Sequence, residues 1–181
     1  MNTRLLILTL IMVLGLVGPL EASHLQQQSL ALQQQGLTLA QTYRQLMHQR
    51  HGLLDQLTKL SQKTKHKDWQ DLVNSHHQVN VDNATAQQDL TAYNQSVSQD
   101  NWNTYQNDLN QVTSDQNDYQ NKLQGLTPKH GDVQAFQNEV TAVLTALDAN
   151  QQQLDANAQA WVVYKQQVQQ LTAAKNAHNH N

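Results

Sequence analysis

Leucine returns every seventh residue across the first third of the chain. Leu25, Leu32, Leu39, Leu46, Leu53 and Leu60 form one column, and Tyr43 and Leu57 each fall four residues after a member of it. That period is the seam of a coiled coil, in which one apolar stripe stays turned toward a partner helix. The intervening glutamines, as in LQQQSLALQQQGLTLA at 25–40, are uncharged helix formers suited to the solvated faces. Leu30 and Leu37 lie well off the seam, which calls for a second packing partner.

The pattern predicts a first helix over about 24–65 and a second over about 68–125, with Asp68 as its cap and Asp71 in its first turn. In the second helix Leu72, Val79, Ala86 and Tyr93 repeat by seven, and then the phase slips. Tyr93, Val97, Asn101, Tyr105 and Leu109 step by four, a stutter that locally unwinds a supercoil. Gly125 suits a helix C-terminus, and either Thr127-Pro128 or Asp132 can start a third helix over about 131–176. Val133, Val140, Leu147, Leu154, Trp161 and Val168 form one column of that helix. Phe136, Val143, Asn150, Asn157, Tyr164 and Leu171 form the other.

The expected fold class is therefore all-α. The expected architecture is an elongated antiparallel three-helix coiled-coil bundle running up-down-up over 24–177, with a frayed tail at 177–181. Charge supports that order. Residues 24–67 carry six Lys or Arg and one Asp, whereas 68–125 carry one Lys and eight Asp, so the first two helices attract each other.

Ahead of the bundle, Arg4 and the amino terminus precede an uncharged apolar run from Leu5 to Leu20, broken by Gly15, Gly18 and Pro19. This is the layout of a secretory signal peptide over 1–22, or of an uncleaved membrane anchor. It predicts an extracytoplasmic protein, secreted or associated with the cell surface. Membrane contact is expected only through residues 5–20, if they are retained. The chain has no cysteine, so an exported fold must hold by packing alone, without disulfides.

Composition narrows the chemistry further. The net charge is −3 and charged residues make up 14% of the chain, which gives no case for nucleic-acid binding. No GxSxG, HExxH, P-loop or GxGxxG pattern occurs. No membrane-length apolar segment follows residue 22, which disfavours a pore-forming toxin. Neither an enzyme, a cofactor nor a metal is expected. His48, His51, His76, His77, His178 and His180 are read as solvated, and Asp108, Asp115 and Asp118 as an acidic surface.

Two places remain as candidate sites. With turns centred near 66 and 128, the stutter comes level with Asn150 and Asn157 and with Gln33–Gly36. Tyr93, Asn101, Trp102, Asn150, Asn157 and Trp161 then form a polar and aromatic layer, serving either to fix register or to bind a small molecule or peptide. At the first turn Lys59, Lys63, Lys65 and Lys67 either complement a helix C-terminus or contact an anionic wall polymer or lipid headgroups. Other proteins or cell-wall polymers are the expected partners, with a homo-oligomer possible. The functional expectation is a non-catalytic scaffold, spacer or adhesion module; the alternative is a binding protein with its site in that layer. No motif identifies a family. In outline alone, the chain resembles the small exported coiled-coil proteins of Gram-positive envelopes.

Overall fold

A computed structural model describes residues 20–179. Residues 1–19, which hold most of the expected signal or anchor segment, lie outside the described residues, as do 180 and 181. The described chain is helical as expected, with four helices: α1 (Leu20–Gln62), α2 (His66–Gln95), α3 (Gln99–Gly125) and α4 (Val133–Asn179). No described helix is long and apolar enough to cross a membrane.

The helix expected over 68–125 is two helices. Its phase slip is a reversal of the chain at 96–98. Ser98 has extended backbone, and its hydroxyl accepts the backbone N–H of Asn101 at 3.1 Å, which makes it the N-cap of α3. The Asn101 amide donates to the Ser96 carbonyl at 2.8 Å, closing the turn from the other side. Ser98 followed by Gln99, Asp100 and Asn101 is a helix start in its own right, with an acid in the first turn.

The chain forms two compact units. The unit spanning 47–152 holds the end of α1, all of α2 and α3, and the start of α4. Lys63 meets Glu139 at 3.2 Å and Arg50 meets Gln151 at 2.8 Å, so α1 and α4 run antiparallel. Ser75 donates to Asp118 at 2.7 Å and Tyr93 stacks on Trp102, so α2 and α3 also run antiparallel. With short turns between neighbours this is an up-down-up-down four-helix arrangement. A three-helix order would have made the first and last helices parallel.

One core serves this unit. Leu60 of α1, Trp69 and Leu72 of α2, Leu123 of α3, Leu126 of the following turn, and Phe136, Val140, Val143 and Leu144 of α4 are buried together. The turns close over it. The Thr64 hydroxyl, itself buried, donates to the Thr127 carbonyl at 2.7 Å, and Thr64 bridges to Pro128.

The caps differ from those expected. α2 begins at His66 after Lys65, and Asp68 sits in the first turn rather than at the cap. Of the two candidate starts for the last helix, Asp132 is used: its carboxylate accepts the Ala135 N–H at 2.7 Å. Gly131 just before it has φ of 100°, a backbone state that glycine adopts without the steric cost other residues meet.

The second unit pairs 20–46 of α1 with 153–179 of α4. Ser29 meets Lys175, and Leu39 meets Asn157, so this pair is antiparallel as well. Gly36 sits under the ring of Tyr164. A Cβ there would stand 2.7 Å from the phenolic oxygen, so glycine is what permits the close approach. Leu25, Leu32 and Leu39 of the seam are half-buried. Leu30, Leu37 and Tyr43 of α1, and Val162 and Val163 of α4, are exposed.

Candidate functional site

The expected polar and aromatic layer divides between the two units. In the 20–46/153–179 pair, the rings of Trp161 and Tyr164 meet edge to face with centroids 5.3 Å apart. Together with Gln33, Gly36 and Leu37 they line an open groove of about 410 Å³. One helical turn before Trp161, Asn157 is 6% exposed. Its amide donates to the Leu39 carbonyl at 3.2 Å, and its Oδ1 is buried with no hydrogen-bond partner.

The other members lie in the 47–152 unit. Tyr93 stacks on Trp102, and Trp102 on Tyr105, at 5.2 and 5.8 Å. This stack pins the α2–α3 reversal that Asn101 closes. Asn150 is buried on α4. Tyr93, Asn101 and Trp102 thus owe their association to the reversal rather than to a level shared along three helices.

Lys59, Lys63, Lys65 and Lys67 are all exposed at the α1–α2 turn. Lys63 pairs with Glu139. From the opposite turn, Lys129 adds a fifth amino group and donates to the Gln62 carbonyl at 2.9 Å. That contact is the role expected for a cation at a helix C-terminus, but Lys129 performs it. Lys59 stands in the last turn of α1, where its charge complements the same carbonyls.

Histidine and aspartate chemistry departs most from expectation. His76 is not solvated. Its Nε2 lies 3.0 Å from Asp148 Oδ2, and the Asn80 amide holds the other oxygen of that carboxylate at 2.9 Å. The imidazole also packs on Tyr119, 5.3 Å between centroids. Burial, and then the nearby charge of Asp148, push the Tyr119 hydroxyl above its ordinary value. Asp148 lies in the middle of α4 and matches no motif, so the pair was visible only once α2 and α4 were packed. His48 and His77 are exposed, and His51 is 3.9 Å from Asp55. The side chains of His178 and His180 lie outside the described residues. Among the described residues no three His, Asp or Glu side chains converge as metal ligands.

Asp108 and Asp115 are not a solvated surface. Both are half-buried, and a hydrogen bond with Asp115 chiefly raises Asp82 above its ordinary value, as one with Asp89 raises Asp108. The spacing could have revealed this, because Asp82 and Asp89 are seven residues apart, as are Asp108 and Asp115. Asp118, by contrast, sits below its ordinary value. The Lys122 ammonium and the Ser75 hydroxyl both bond its charged form.

No protein-family model, curated protein or solved structure matches the chain.

Proposed function

We propose that this is an exported, non-catalytic helical module of the cell envelope or extracellular space, acting by presenting surfaces to other macromolecules as scaffold, spacer or adhesion element. The observation that carries this reading is the uncovered apolar face of the α1–α4 pair. Leu37 is 66% exposed and Leu30 55%, one heptad apart on α1. Exposed apolar side chains that recur with the helical period, rather than scattered singly, point to association. Export rests on the Arg4 n-region and the apolar run to Leu20. The exposed lysines at the α1–α2 turn add a surface that suits an anionic wall polymer or lipid headgroups.

The test uses the full-length protein expressed in its source cells, with retention on purified envelopes as the readout. Leu30→Gln plus Leu37→Gln should lower retention while shifting stability by no more than about 0.5 kcal/mol, as expected of exposed positions. Lys59→Gln, Lys63→Gln, Lys65→Gln and Lys67→Gln together should lower it at ordinary salt if the partner is anionic. Retention unchanged in both variants, or native protein found in the cytosol with Met1 intact, would overturn the reading.

A second reading is favoured by the groove beside Gly36: an extracytoplasmic binding protein for a small molecule or peptide that stacks on Trp161 and Tyr164. It predicts a ligand-dependent rise in melting temperature, which the scaffold reading does not.

A further inference from the structure

One end of the 47–152 unit is built from two turns that are distant in sequence. The α1–α2 turn and the α3–α4 turn meet there as one surface. The Lys129 N–H donates to the Lys63 carbonyl at 2.6 Å, and the Thr64 hydroxyl donates to the Thr127 carbonyl at 2.7 Å. Thr64 and Pro128 form an antiparallel bridge beside them. These bonds fix the two turns against each other.

Positive charge gathers on this surface, although the chain as a whole has a net charge of −3. Lys59, Lys63, Lys65, Lys67 and Lys129 are five of the eleven Lys and Arg in the chain, and all five are exposed. They are not equivalent. The Lys63 ammonium is held by Glu139 at 3.2 Å, and that of Lys129 by the Gln62 carbonyl at 2.9 Å. The ammonium groups of Lys59, Lys65 and Lys67 make no ion pair or hydrogen bond among the described residues.

The acids at this end are engaged or set back. Glu139 is taken by Lys63, and the Asp132 carboxylate accepts the Ala135 N–H at the start of α4. Asp68 is half-buried in the first turn of α2, against the positive end of that helix. Asp71 is exposed one turn further along α2.

The set is made of lysine, without arginine. An ammonium is a point charge and lacks the planar fork by which a guanidinium selects geometry. The surface therefore suits a flexible chain of closely spaced anions over a ligand of fixed shape. A polymer with a phosphate at every repeat has that charge density. A bilayer is the poorer fit, because binding at a lipid surface scales with the apolar area buried beside the cations. Leu60 and Leu126 of these turns are 1% and 0% exposed. Among the described residues of the two turns and their flanks, only Val133 is a large exposed apolar side chain.

We propose, on the anionic-partner reading given above, that the two turns form one docking platform for a linear phosphate polymer of the envelope. Lys59, Lys65 and Lys67 contact the phosphates, and Lys63 and Lys129 hold the turns in place.

The probe is long-chain inorganic polyphosphate labelled at one end, and the readout is fluorescence anisotropy with the purified full chain at neutral pH. Affinity should fall as salt rises, with a log–log slope of about −0.7 for each phosphate contacted, and so roughly −2 for three lysines. Lys65→Gln plus Lys67→Gln should lower affinity on the order of tenfold and bring the slope to about −0.7. Lys59→Gln should cost more than Lys129→Gln, whose ammonium is already on the Gln62 carbonyl. Arg44→Gln plus Lys165→Gln makes the same change in net charge outside the 47–152 unit and should leave binding unchanged. Circular dichroism confirms that each variant is folded, as expected at exposed positions. The proposal is overturned by polyphosphate binding that is absent or insensitive to salt, or by an equal loss in the Arg44 and Lys165 variant. It is also overturned by tighter binding, per accessible phosphate, to vesicles of equal parts phosphatidylglycerol and phosphatidylcholine. Envelope retention that depends on Leu30 and Leu37 would survive any of these results, so the platform and the scaffold reading fail separately.

Discussion

Leu72→Ala is expected to destabilise the protein by about 2–5 kcal/mol. Leu72 is 0% exposed and belongs to the one core shared by the end of α1, by α2 and α3, and by the start of α4. Truncation there removes transfer free energy and leaves a cavity that four helices must collapse to fill. A chain so rich in glutamine and asparagine has few such residues, and the loss falls on a small apolar reserve. Leu147→Ala is the internal comparison. Leu147 packs against the same core but is only half-buried, so its cost should be smaller. Urea unfolding of both variants measures the difference. Equal, negligible effects would mean that the core does not hold the helices together.

The second large effect has the opposite sign. Asn157→Leu should stabilise the protein by about 1–2 kcal/mol, because a buried amide oxygen without a partner gives way to apolar surface. The one bond lost goes to the Leu39 carbonyl, which lies inside α1 and keeps its acceptor role within the helix. A rise in melting temperature accompanied by broadened NMR resonances would identify Asn157 as the residue that fixes the register of the α1–α4 pair. A fall would show that the Leu39 bond outweighs the orphaned oxygen.

Helix content was legible because periodicity is local. The leucine column from Leu25 to Leu60 and the two columns from Val133 to Leu171 each lie on a single helix, and no tertiary knowledge is needed to see them. Helix direction was not legible. A stutter and a chain reversal both interrupt the phase, and Tyr93, Val97 and Asn101 fit either. The serine cap at Ser98 is the feature that separates them. Reading 68–125 as one helix then gave α4 the wrong direction relative to α1: of the two asparagines expected level with Gly36, Asn157 does lie nearby, on Leu39, with Tyr164 over Gly36 itself, whereas Asn150 belongs to the 47–152 unit. The charge argument failed for a related reason. Acidic 68–125 was matched to basic 24–67, whereas much of that acid is turned onto itself as Asp82–Asp115 and Asp89–Asp108. Of the candidate sites, the lysine turn was legible because neighbours in sequence are neighbours in space. His76 with Asp148 was not, since the two are 72 residues apart.

The reversal at Ser96–Ser98 also makes the chain divisible. Val97 at its tip is 76% exposed; the bonds from Ser96 to Ala92 and from Asn101 to Ser98 each stay on one side of it, and the Asn101 amide bond to the Ser96 carbonyl spans it. A protease recognition sequence inserted after Ser96 should be cut in the native protein. The two fragments should then remain associated, because Leu60, Trp69 and Leu72 come from the first, and Leu123, Leu126, Phe136 and Val140 from the second. The same position would accept a fused reporter or a permuted terminus, and two separately expressed halves would serve as a complementation pair.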